Sequence, residues 1–139
     1  NKERKRNVLL NRKQIIEKYH MRPHAEGGYY AEIWQQAEAK ASHIFFLLPK
    51  GEKALLHRIR SDELWLFHQG GKLVLTLWGK DDTPQKEREV TLGEEELHCL
   101  IEKDTWQSAR AEEGDVLVSC VVSPAFAEKN WNIYEGMIE

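Results

Sequence analysis

The segment from Gly51 to Gly70 constrains the fold of this chain more than any other. It reads G-x5-H-x-I-x3-E-x6-G, with His57 and Glu63 at the H and E positions. Two short apolar runs flank a polar turn, and side chains alternate between the two faces of a strand. His57 therefore shares a face with Ile59, and the turn can bring Glu63 beside His57. The pattern predicts a β-hairpin that places a polar pair on an otherwise apolar wall.

Short apolar runs separated by turn residues continue along most of the chain, which predicts nine or ten strands. Many short strands with little helix favour a sandwich or barrel, so we expect an all-β fold. Eight of these strands have bounds in the sequence pattern, which are, in chain order, 42–48, 54–59, 63–68, 72–78, 90–92, 97–101, 106–111 and 115–122.

One short helix is expected before the strands. Asn11 can cap the segment 12–19, in which Ile15, Ile16 and Tyr19 fall on one face. The segment from 20 to 30 then breaks the helical period with a proline and a Gly-Gly pair, as loops do. We expect the apolar face of the helix to pack on the barrel.

Length and composition indicate one soluble domain, residues 1–139. Hydrophobic residues make up 41% of the chain and charged residues 31%, and the net charge of −3 gives no reason to expect a nucleic-acid partner. Residues 1–10 belong to a basic stretch that we expect to be a frayed arm. Neither a bilayer-length apolar run nor a secretory signal occurs, so we expect a cytoplasmic protein without a membrane partner. Cys99 and Cys120 lie in apolar runs and are expected to be buried thiols.

The 51–70 pattern resembles the first motif of the cupin superfamily, G-x5-H-x-H-x3-4-E-x6-G, whose His, His and Glu bind a metal. Ile59 replaces the second histidine here, and Gln107 stands where the second cupin motif has a further ligand histidine. Only His57 and Glu63 then remain of four ligands, while transition-metal sites usually use three or four. The resemblance thus favours a protein without a metal cofactor. A divalent metal held by His57, Glu63, Gln107 and water stays as the alternative.

Further segments are similar to the fifth cupin family, a bacterial and fungal domain of unknown function. They are HAEGGYYAE at 24–32, HR at 57–58, SDELW at 61–65, TWQSA at 105–109 and VSCV at 118–121. The resemblance implies a double-stranded β-helix, or jelly roll, that pairs into a homodimer with a pocket inside each barrel. It implies no established activity. Similar metal-free barrels include the dTDP-4-dehydrorhamnose 3,5-epimerases, in which a His acts as base and a Tyr as acid.

Our leading hypothesis is a barrel that binds a small polar, carbohydrate-like molecule. If the protein is an enzyme, it transfers a proton in a metal-independent epimerase or isomerase reaction. His57 would be the general base, oriented by Glu63, and Tyr29 or Tyr30 would return the proton. One of the two tyrosines must face inward if they lie on a strand.

Three further residues are candidate ligand contacts. Gln107 would supply a polar contact, Trp65 an apolar wall, and Glu26 is a candidate residue at the pocket mouth or a stabiliser of its own turn. Other functions stay open: a metal-dependent cupin enzyme, a ligand sensor or storage barrel without catalysis, and a scaffold with a filled barrel.

Overall fold

A computed structural model describes residues 9–35 and 38–136, so the predicted basic arm lies almost wholly outside the described residues. The helix α1 spans Arg12–Tyr19, as predicted. The Asn11 side chain accepts a hydrogen bond from the Gln14 backbone N–H, and the Gln14 side-chain oxygen accepts one from the Asn11 backbone N–H. This reciprocal pair satisfies N–H groups that a helix start otherwise leaves without partners.

Eleven strands follow in the described part of the chain, and each predicted strand is found within two residues of its predicted ends. The additional strands β1, β2 and β11 were not predicted as strands. The strands are β1 Arg22–Pro23, β2 Tyr29–Gln35, β3 Ser42–Leu48, β4 Lys53–Ile59, β5 Asp62–Gly70, β6 Leu73–Leu77, β7 Arg88–Leu92, β8 His98–Ile101, β9 Gln107–Ala111, β10 Val116–Ser123 and β11 Trp131–Ile133.

The strands form two antiparallel sheets. One has the order β1-β2-β3-β10-β5-β8 and the other β11-β4-β9-β6-β7. Consecutive strands repeatedly lie in different sheets, as in a jelly roll, where the chain crosses between the layers. The predicted all-β jelly roll with a short N-terminal helix is therefore confirmed.

The helix covers the outer face of the larger sheet. Ile15 is buried there beside Leu47 and Leu117, while Tyr19 packs edge-to-face on Phe45 at 4.8 Å between ring centroids. This contact confirms the predicted role of the apolar helix face. Among the residues that the structure describes, no helix has the length and apolar character needed to cross a bilayer.

The space between the sheets differs from one end of the barrel to the other. At one end, aliphatic side chains from both sheets fill the interior and are fully buried. At the other end, beyond Phe46 and Trp65, the interior opens into a cavity. The residues of the filled end include Leu48, Leu73, Leu75, Leu92, Ala111 and Val116.

Candidate functional site

The cavity has a volume of about 350 Å³, which lies in the range of small-molecule sites. Strands of both sheets, the loop before β2 and the segment after β10 all contribute to its wall. The polar or titratable residues of the wall are His24, Glu26, Tyr30, Glu32, Gln35, Ser42, His43, His57, Glu63, Cys120 and Glu128.

A β-bulge sets the orientation of His57. The pairing of β4 with β9 shifts register between Ala54 and His57, and such a bulge turns a side chain and frees backbone groups from the ladder. The Leu55 carbonyl accepts a hydrogen bond of 2.6 Å from His57 Nδ1. Since a carbonyl oxygen can only accept, Nδ1 carries the proton and Nε2 of the neutral ring keeps its lone pair.

Glu26 reaches the site because its loop is fastened to β4. The Leu55 N–H donates to the Glu26 carbonyl at 2.9 Å, and the Glu26 N–H donates to His24 Nδ1 at 3.1 Å. Gly27 has a φ of +118°, and a Cβ there would collide with the Lys53 carbonyl. The Gly-Gly pair therefore permits a close approach of backbones that carries Glu26 into the barrel.

Glu26 and His57 form a buried pair on the cavity wall. Glu26 Oε2 lies 3.4 Å from His57 Nε2, with side-chain exposures of 8% and 5%. Trp131 Nε1 donates to the same oxygen at 3.2 Å. Burial raises the pKa of Glu26 to about 7 and lowers the pKa of His57. The sequence suggested a place at the mouth for Glu26, but the structure places it deep in the wall.

Glu63 pairs with Gln107 rather than orienting His57. Gln107 Nε2 donates to Glu63 Oε1 at 2.8 Å, across the two sheets, while Gln107 Oε1 is buried without a partner among the described residues. Burial raises the pKa of the Glu63 carboxyl, and the nearby His57 opposes that rise. The orienting hydrogen bond expected from Glu63 to His57 comes instead from the Leu55 carbonyl.

The structure separates the two tyrosines. Tyr30 faces the barrel interior and lines the cavity. Tyr29 points to the other face of β2 and packs with the helix cluster. Trp65 is 1% exposed and packs edge-to-face on Phe46 at 5.9 Å, behind the cavity wall rather than on it. Gln107 is similarly absent from the wall and touches the site through Glu63.

Among the wall residues that were not assigned from the sequence, two form hydrogen bonds with Glu26. His24 accepts from the Glu26 N–H and contacts Tyr30 edge-to-face at 4.9 Å. Trp131 comes from β11, which pairs with β4, and its indole N–H donates to Glu26. His24 lies in the HAEGG segment and carried a sequence signal, whereas Trp131 stands in a short polar stretch without strand periodicity.

The residues of the site do not fit the metal centre that the cupin motif implies. Ile59 lies on the cavity wall where the motif has a histidine, and Glu63 is engaged by the Gln107 amide nitrogen, which cannot ligate a cation. Within residues 9–35 and 38–136, no three His, Cys, Asp or Glu side chains converge on one metal position. Transition-metal centres usually need such a set.

Two crossed antiparallel sheets around an inner cavity, with His57 and Glu63 in the motif positions, define a cupin-type barrel. The family model described as "Cupin superfamily (DUF985)" matches residues 13–134, and the chain belongs to that family. No curated protein matches the chain by sequence comparison.

Solved structures agree with this fold. A hypothetical protein from Leishmania major is 27% identical, with a TM-score of 0.80 over 90% of this chain and 88% of that chain. A protein from Shewanella oneidensis is 25% identical, with a TM-score of 0.78 over 91% and 85% of the chains. Bacillus subtilis oxalate decarboxylase, at 18% identity and a TM-score of 0.66, shares the fold over 85% of this chain and 30% of its own.

Staphylococcus aureus CapF, a capsular polysaccharide assembling protein, is 14% identical with a TM-score of 0.68, over 84% of this chain and 34% of its own. At such identity the likeness concerns the fold alone.

Proposed function

We propose that the protein binds a small polar, carbohydrate-like molecule in the cavity and moves a proton on it without a metal, as an epimerase or isomerase does. The observation that carries this proposal is the buried pair of His57 Nε2 and Glu26 Oε2, 3.4 Å apart on the cavity wall. Perturbed titratable groups that converge in a cavity of ligand size are a common mark of acid–base sites.

His57 is the general base of the proposed reaction. Its Nδ1–H is fixed on the Leu55 carbonyl, so Nε2 is the atom that accepts a proton from a substrate carbon. The Glu26 carboxylate then stabilises the imidazolium that forms. Tyr30, on the opposite sheet, is the group that returns a proton to the other face of the carbon, and Tyr29 drops out of this role because it lies outside the cavity.

Solvent-hydrogen exchange tests this proposal without knowledge of the substrate. The protein is incubated with a metabolite extract in D₂O, and the extract is searched by mass spectrometry for compounds that gain one deuterium. We expect at least one such compound with the native protein and none with His57→Gln. His98→Gln removes an exposed histidine on β8 and serves as the matched control. Equal labelling by His57→Gln and the native protein would refute the role of His57.

A ligand sensor or storage protein is the second candidate, favoured by the same cavity of ligand size. It predicts a compound that co-purifies with the protein and gains no deuterium. Native mass spectrometry of untagged protein measures both the retained compound and the assembly state. We propose that the protein forms a homodimer. Leu97, just before β8, and Leu100, on β8, are exposed and offer an apolar surface for it. A monomer mass would contradict that assembly.

A further inference from the structure

The charge of the cavity wall has one sign. Four glutamates line it, and neither a lysine nor an arginine does so among the residues that the structure describes. Glu26 and Glu63 lie deep, while Glu32 and Glu128 stand at the exposed rim. Arg22 lies 3.5 Å from Glu32, but both are exposed and Arg22 is not part of the wall. An anionic ligand would therefore lose its hydration without gaining a cationic partner.

Aromatic rings form much of the remaining wall. Tyr30, Trp34, Phe46, Phe126 and Trp131 all line the cavity. Phe126 and Trp131 are in contact, with ring centroids 6.3 Å apart. The faces of such rings attract cations, and the Arg22 guanidinium lies over the Tyr30 ring, 5.3 Å from its centroid.

The histidines of the wall do not supply positive charge at neutral pH. Burial lowers the pKa of His24, His43 and His57 below the ordinary value of 6.5. The deep Glu26 and Glu63 thus face the cavity without a cationic partner among the described residues, whereas the exposed Glu32 is paired with Arg22. Burial also raises the pKa of Glu26 and Glu63, as it does for buried carboxyl groups that have no cationic partner.

We propose that the cavity selects a small organic cation, an amine or a quaternary ammonium compound, over an uncharged or anionic molecule of the same shape. The aromatic wall and the deep glutamates carry this assignment together. It rests on the proposed function only in taking the cavity as the ligand site. A carbohydrate-like ligand would then be an amino sugar rather than a sugar phosphate or a sugar nucleotide.

Three probes of nearly one shape and different charge test the selection. They are choline, 3,3-dimethylbutan-1-ol and 3,3-dimethylbutanoate, titrated into the native protein in a calorimeter at mildly alkaline pH. We expect choline to bind about tenfold more tightly than the alcohol, and the carboxylate to give no saturable heat. Equal affinity for choline and the alcohol, tighter binding of the carboxylate, or no saturable binding of choline would each overturn the proposal.

Choline affinity should rise as pH rises through about 7. A bound cation favours the ionised form of Glu26, whose pKa is about 7 in the empty site. The titratable groups around Glu26 act in the same direction or stay silent. His24 and His57 lose any positive charge as pH rises, any ionisation of Glu63, whose pKa burial raises, adds negative charge, and the buried Cys120 thiol stays neutral because burial raises its pKa. Affinity that falls over this range would contradict the proposal.

Variants locate the selection and separate it from catalysis. Glu26→Gln should weaken choline binding about tenfold, while the exposed helix variant Glu17→Gln should leave it unchanged. An unchanged affinity in folded Glu26→Gln would overturn the assignment of Glu26. His57→Gln should keep the preference for choline and lose deuterium exchange. If deuterium exchange depends on His57 while the alcohol binds as well as choline, the proposed proton transfer stands and the cation selection is refuted. If choline binds more tightly than the alcohol but exchange does not depend on His57, only the proposed proton transfer is refuted.

Discussion

The two ends of the barrel are built from the same strands but differ in what they bury. At the filled end, Leu48, Leu73, Leu75 and Val116 are at most 1% exposed and make only apolar contacts. At the cavity end, the continuations of β4 and β5 bury His57 and Glu63 on the same interior. Apolar burial at the filled end stabilises the folded state, whereas desolvation of polar groups at the cavity end destabilises it.

This difference indicates where selection for function acted. Polar side chains in an interior cost stability unless each finds a partner, and Gln107 Oε1 is buried without one in the described part of the chain. A barrel that needed only to fold would fill its second end with aliphatic residues, as it fills the first. The carboxyls retained beside a cavity therefore point to a ligand.

The largest effect is expected at the filled end. Leu75→Ala removes a fully buried side chain from contact with both sheets, so we expect a loss of about 2–5 kcal/mol in the free energy of unfolding. Urea denaturation measures it. Leu9→Ala, at a side chain 66% exposed, is the matched control and should cost less than about 1 kcal/mol. Similar losses in the two variants would remove the contrast between filled interior and surface.

Glu26→Gln tests the cost of the cavity end through its pH dependence. Glu26 titrates near 4.5 when unfolded and at about 7 when folded, so the folded state binds more protons between these values. The contribution of Glu26 to stability therefore falls as pH rises through that window. Relative to the native protein, Glu26→Gln should become more stable by up to about 3 kcal/mol from about pH 4 to about pH 8.

His24 and His57 titrate in both proteins of this comparison, so the difference keeps only the part of their contributions that comes from their interaction with Glu26. Denaturation series at several pH values give the curve, and Glu17→Gln should show no such slope. A difference between Glu26→Gln and the native protein that does not vary with pH would mean that Glu26 is not desolvated in the folded state.

The smallest effect concerns the link between Glu63 and Gln107. Gln107→Leu removes the hydrogen bond of 2.8 Å and leaves a buried carboxyl without that donor, at an expected cost of about 1–3 kcal/mol. Adding Glu63→Leu removes the stranded group, so the double variant should recover part of the loss. A double-mutant cycle by urea denaturation measures the coupling. Additive losses would show that the two residues do not act together.

Local sequence pattern predicted much of this architecture. The run 42–48 was predicted to the residue because its apolar side chains end at Pro49, which cannot continue a ladder. The alternation around the 60–62 turn placed His57 and Glu63 on one interior. Gln107 was expected to share that interior and forms a hydrogen bond to Glu63. The strand β11 escaped prediction because its three residues carry no alternation of their own.

Alternation and turn spacing are local properties, so the amino-acid sequence predicts which residues of a strand share one face. It does not show which of Tyr29 and Tyr30 points into the barrel. Neighbouring residues of a strand lie on opposite faces, and only the packing of the sheet decides which face is the inner one. The contact of Glu26 with His57 and Trp131 was decided by tertiary structure alone. Those residues come from a loop and two strands far apart in the chain, and only the docking of that loop and of β11 on β4 brings them within hydrogen-bonding reach.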